Sequence, residues 1–109
     1  MKKSTFSFLT TLSSEQKSKL KGLAHHLKPV VQIGHQGFTE TVKSEISLAL
    51  DKHELIKIQL PADTNSSSKE EKQSELLGVL PKNTHLVSRI GRTIILYLQK
   101  KPEEQKIKL

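Results

Sequence analysis

Two glycines three positions apart bracket the turn Gly34-His35-Gln36-Gly37, between the apolar run Val30-Val31-Gln32-Ile33 and a helix-like pattern. A helix N-terminus carries unpaired N–H donors and a partial positive charge, so it attracts anions. Glycines at its mouth let backbone approach an anion such as a phosphate without a Cβ in the way. On these four residues alone, a tight strand-to-helix turn is the better reading.

The neighbours add weight. Lys28 precedes the apolar run, Lys57 falls on the polar face of a later strand, and Arg89 and Arg92 belong to a hairpin. Their elements can converge at one end of a sheet, with Lys21 adding to the same face, and each cation can neutralise one phosphate. For any single lysine a solvated charge is the simpler reading. Gly-x-x-Gly loops clamp nucleotide backbone in KH-type RNA-binding domains. Aromatic side chains are scarce, only Phe6, Phe8, Phe38 and Tyr97, which argues against a base-stacking platform and favours backbone and shape over base identity. Phe38 is expected to pack beneath its helix.

Enzyme chemistry finds little support. His25, His26, His35, His53 and His85 offer general bases, but no serine or cysteine sits in a recognisable nucleophile elbow. His53-Glu54-Leu55-Ile56-Lys57 begins like the zinc-protease pattern H-E-x-x-H, yet Lys57 stands where the second ligand belongs. His53 and Glu54 are read as the close of a helix, and His25 as a structural histidine. No catalytic residue, metal site or cofactor is expected.

The elements that position these residues follow from periodicity and punctuation. Ser13 opens a helix through the capping box Ser13-Ser14-Glu15-Gln16, with Leu20, Leu23, Ala24 and Leu27 as its apolar stripe and Pro29 as its end. Val30–Ile33 is a short strand. Thr39 caps a second helix to about Lys52, whose stripe is Val42, Ile46, Ala49 and Leu50. Leu55–Leu60 alternates as a strand, joined to the first by a right-handed crossover and so parallel to it. A third helix runs from about Ser67 to Leu80, with Ser68-x-x-Glu71 as a second capping box and Leu76, Leu77 and Leu80 as its apolar face. His85–Ile90 and Thr93–Leu98 form a hairpin around a type II′ turn at Gly91-Arg92, with Tyr97 opposite the region of Leu86. The order α-β-α-β-α-β-β implies a two-layer α/β domain around a four-stranded mixed sheet. Residues 1–12 are expected to form a flexible arm, 13–100 the domain and 101–109 a charged tail, with fraying expected over Gln99 to Leu109.

Composition bounds the partner. The 109 residues carry 18 Lys plus Arg against 11 Asp plus Glu, a formal charge of +7, which suits a polyanion. No cysteine is present, which excludes disulfides and thiolate metal sites. Lys2 and Lys3 are followed by too many hydroxyl residues for a signal peptide, so a cytoplasmic protein is expected, with no membrane association.

The segment LKGLAHHLKPVVQIGHQGFTETVKSEISLALDKHELIKIQL, Leu20 to Leu60, with VSRIGRTIILY, Val87 to Tyr97, strongly resembles the CRM domain (chloroplast RNA splicing and ribosome maturation). The likeness is greatest to bacterial single-domain members of the YhbY type. It implies an RNA-binding fold similar to the C-terminal domain of bacterial translation initiation factor three, and a link to precursors of the large ribosomal subunit. The family's Gly-x-x-Gly loop maps to Gly34, His35, Gln36 and Gly37, and its basic surface to Lys28, Lys57, Arg89 and Arg92. The family often has Arg after its final Leu-Tyr, where this chain has Leu98; Lys100 or Lys101 is the expected substitute. The expectation is thus a monomeric assembly factor that engages structured ribosomal RNA. A protein-interaction adaptor on ribosomal particles, touching RNA only incidentally, is the alternative.

Overall fold

The computed structural model describes residues 11–34, 36–61, 66–101 and 103–107, with only the backbone of 66–70 and 72. The expected arm therefore lies outside the described residues up to position 10. At its end Leu12 is buried.

Ser13 caps the first helix reciprocally. Its hydroxyl accepts the Gln16 N–H at 3.1 Å, and the Gln16 side chain accepts the Ser13 N–H at 2.9 Å. The helix, α1 (Ser14–Ala24), stops short of Pro29. Pro29 has no N–H to give the carbonyl of His25, four residues back, so the helix cannot close its next turn. The ammonium of Lys57 supplies the missing donor, at 3.4 Å from the His25 carbonyl and 3.0 Å from that of Leu27.

The remaining elements follow the expected order: β1 (Val31–Gln32), α2 (Glu40–His53), β2 (Leu55–Gln59), α3 (Ser66–Val79), β3 (Thr84–Ile90) and β4 (Thr93–Leu98). The Thr39 hydroxyl caps α2 by accepting the Val42 N–H at 3.2 Å. The sheet order is β1-β2-β4-β3, with β1 and β2 parallel and the other pairs antiparallel. Ser68 lies inside α3 rather than at its cap. Among the described residues, no helix is long and apolar enough to cross a membrane.

The sheet is covered on both faces, so the domain has three layers rather than two. On one face Val31, Ile33, Ile56, Ile58, Ile94 and Leu96 pack against Ile46 and Leu50 of α2 and Leu76 of α3. On the other, Leu55, Val87, Ile95 and Tyr97 pack against Leu20 and Ala24 of α1, with Leu12. The signal was in β4, where Ile94, Ile95, Leu96 and Tyr97 are all buried. A continuous apolar run without alternation marks a strand buried on both sides. Leu77, expected on the inner face of α3, is exposed, while Val79 and Leu80 pack against the first core.

The hairpin turns at Gly91-Arg92 as expected. Gly91 has φ +63° and Arg92 is not among the positive-φ residues, which fits type II′. Its far end is shifted by one residue. Ser88 pairs with Ile95 but Leu86 with Leu96, so Tyr97 faces His85 and not Leu86. The extra residue is Val87, and the bulge lets it join the α1-side core while Leu86 packs on the other face.

Candidate nucleic-acid interface

The parallel pair β1–β2 delivers both strand ends to the same edge of the sheet. Ile33 donates its N–H to Gln59, and Leu60 donates to the carbonyl of Arg92 in the hairpin turn. The loop after β1, the exit of β2 and the Gly91–Arg92 turn therefore meet. They enclose a groove of about 350 Å³ lined by Gln32, Ile33, Gly34, Gln59, Leu60, Pro61 and Arg92.

The loop is a closed turn, with the Gly37 N–H on the Gly34 carbonyl at 3.0 Å. Only Gly37 needs to be glycine for its backbone, at φ +78°. Gly34 has no positive φ, and a Cβ there would meet nothing within 4 Å. The fold alone would accept a side chain at this position. Gln36 is exposed, and His35 lies outside the described residues. Phe38 packs against the first core. The first turn of α2 already holds a carboxylate, Glu40, paired with Lys43 at 3.0 Å. The groups at this end whose chemistry suits an anion are accordingly the loop backbone and the Arg92 guanidinium, since a carboxylate already stands at the helix terminus.

The basic residues do not all converge there. Arg92 lines the groove. Arg89 is half-buried opposite Ile94, whose side chain belongs to the α2 face. Lys57 is on the α1 face, its ammonium on the carbonyls at the end of α1. Lys28 lies before β1, at the other end of that strand. It borders a separate, largely apolar cavity of about 460 Å³ with Leu23, Leu27, Val30, His53, Leu55, Ile56 and Ile107. Lys21 is exposed on α1, and His25 is also exposed, its ring edge-on to His26 at 5.1 Å.

Glu54 closes α2, as the sequence reading had it, but that reading did not anticipate its role as the receptor for the C-terminal segment. This residue caps α2 with φ +67°, a conformation costly for any side chain, and is fully buried. Its carboxylate accepts the Lys106 N–H at 2.8 and 2.9 Å, the Ile107 N–H at 2.9 Å and the Gln105 amide at 2.7 Å. Burial raises its pKa, but those donors and the nearby Lys100 ammonium outweigh burial and hold it below the usual carboxylate value. Of the tail expected to fray, Gln105, Lys106 and Ile107 are therefore docked. Lys100 and Lys106 also reach the carbonyls of Asp51 and Lys52 at the end of α2, at 2.6 and 3.3 Å. Lys100 is thus engaged with α2, whereas Lys101 is exposed. Nothing local in the sequence marks Glu54 as the receptor, because its partners lie about fifty positions on.

Comparison with known proteins agrees with this architecture. Residues 12–97 match the model of the CRS1 / YhbY (CRM) domain. A Haemophilus influenzae protein named as an RNA-binding protein is 44% identical over 103 residues, covering 93% of this chain and 97% of that one. A Bacillus subtilis protein named as a probable RNA-binding protein is 34% identical, covering 86% of this chain and 95% of its own. The solution structure of a Staphylococcus aureus protein, described as a candidate RNA binder, superposes with a TM-score of 0.72 at 32% identity, covering 91% of this chain and 99% of that one.

Proposed function

Because this chain belongs to the CRS1 / YhbY (CRM) domain family, we propose that it is an RNA-binding protein that works by binding and not by chemistry. Its target is structured ribosomal RNA, and its role is assembly of the large ribosomal subunit in the cytoplasm, as a monomer. What supports RNA binding is near-full-length similarity to proteins named for it. The observation that supports the site is Gly34, a glycine whose fold requires no glycine, beside Arg92 in one groove. Backbone left open to approach at Gly34 and a guanidinium together suit a phosphate. The net charge of +7 supplies the surrounding field.

Two experiments test this reading. Crosslinking in cells followed by sequencing of the bound RNA should enrich large-subunit ribosomal RNA; reads spread evenly over unrelated transcripts contradict the ribosomal assignment. The double variant His35→Asp with Gln36→Asp puts negative charge where the phosphate belongs. It should lose RNA affinity while staying folded. Unchanged affinity would instead favour the adaptor reading, which would use the apolar cavity beside Leu23, Leu27 and Val30.

A further inference from the structure

Among the described residues, one strip of the α1 face of the sheet is left uncovered, and its composition is specific. Gln32 pairs with Gln59, Gln59 with Thr93, and Thr93 with Ile90, so these four residues form a single row across all four strands. Their chain neighbours Val31, Ile33, Ile58, Leu60 and Ile94 are buried on the α2 face. Alternation therefore turns Gln32, Gln59 and Thr93 to the α1 face, and Ile90 with them by pairing. α1 does not reach this row. Its last turn ends over Lys57, whose ammonium ties it down one row earlier. Gln32 is exposed, Gln59 and Thr93 are half-buried, and Ile90 is 59% exposed. Neither glutamine amide has a hydrogen-bond partner among the described residues.

We propose that this strip reads the bases of a short unpaired run in the RNA, and that the phosphates of that run follow Gly34 and Arg92. The inference rests on the RNA-binding reading and narrows its substrate class to a loop or bulge flanking a helix. Three strand spacings make the row about 14 Å long. Each amide presents both a donor and an acceptor, the pair needed to recognise a base edge, and Thr93 adds a hydroxyl. Ile90 gives an apolar contact for a base face. The groove with Arg92 is continuous with the row, because Gln32 and Gln59 line both. Bases inside a duplex cannot lie on a sheet, so only unpaired nucleotides fit. The scarcity of aromatic residues is consistent with this arrangement, because the strip reads edges rather than stacking faces.

The test uses labelled RNA hairpins that share a stem and differ only in loop bases, A, U, C or G. The full chain should prefer one loop over another by about tenfold, the worth of one good amide–base pair. Gln32→Met with Gln59→Met should compress that preference to about twofold and keep the salt dependence, because no phosphate contact is lost. Arg92→Ala should weaken all four hairpins alike. Thr93→Val, which removes only a hydroxyl, should narrow the preference in part and serves as a second readout if the methionine pair does not fold. Equal binding of the four loops by the wild type, with steep salt dependence, overturns the strip and leaves the RNA-binding reading standing. Unchanged preference in the folded methionine pair also overturns it. Binding of no hairpin overturns both.

Discussion

The backbone N–H of Lys106 lies 2.8 and 2.9 Å from the two carboxylate oxygens of Glu54, a residue 52 positions earlier. That contact joins the helix–strand corner of α2 and β2 to the C-terminal segment. It also accounts for a non-glycine residue at φ +67°, since only a carboxylate at this place can accept the donors of Gln105, Lys106 and Ile107 together. Glu54→Gln should lower stability by about 3 kcal/mol in denaturant unfolding, because it turns an amide N–H toward donors already present. A loss below about 0.5 kcal/mol, the range of an inert surface change, would contradict the latch.

The same carboxylate has a pH signature. Its folded pKa is lowered, so its contribution is fully present above the ordinary carboxylate value and is lost as pH falls through the folded one. Thermal unfolding of the wild type should weaken steeply in that acid window. Glu54→Gln should lack that part of the slope, and parallel curves for the two proteins would argue against it.

Tyr97 gives an optical check on the second core. It is the only tyrosine, and burial, followed by the negative charge of Glu54, pushes its pKa up to about 12. The raised value means its contribution to stability is whole below pH ~10, the unfolded pKa, and is lost as pH rises through the folded one. Absorbance at the tyrosinate band should titrate near the raised value. A midpoint near that of free tyrosine would show that the α1 side of the sheet is open.

Lys57 separates a structural lysine from an RNA contact. Lys57→Met keeps the stem and removes two carbonyl hydrogen bonds, so stability should fall by about 1–2 kcal/mol. A lysine serving only RNA would leave stability unchanged and reduce the salt slope of binding.

How much of this was legible in the sequence depends on the range of each interaction. The caps at Ser13 and Thr39 involve residues three positions apart, and both were readable from spacing. So were the parallel pair and the hairpin turn, which glycines and alternation mark. The register beyond Ser88 was not, because the bulge at Val87 follows from packing on two faces, which neither strand shows alone. The third layer was signalled by the unbroken apolar run Ile94–Tyr97 but requires knowing that α1 folds back across it. At the candidate site, Gly34 and Arg92, singled out from their types, line one groove. Lys28 and Lys57 have the same chemistry, and only the tertiary structure shows that they lie elsewhere.

The two glycines of the loop should respond differently. Gly37→Ala forces a side chain to φ +78° and should cost about 1–2 kcal/mol of stability. Gly34→Ala meets no atom within 4 Å and should leave stability unchanged or slightly raised. Its effect belongs to binding: RNA affinity should drop by about tenfold, roughly the loss of one backbone contact. Equal RNA affinity for wild type and Gly34→Ala would mean that the backbone there is not approached.

The most direct measurement is RNA affinity against salt concentration, for the wild type and Arg92→Ala, with a structured ribosomal RNA fragment. If the loop end of the sheet holds phosphates, log affinity falls linearly with log salt, and Arg92→Ala both weakens binding and makes the slope shallower by about 1. Affinity that stays flat as salt rises, or an Arg92→Ala line that overlays the wild type, would contradict the account.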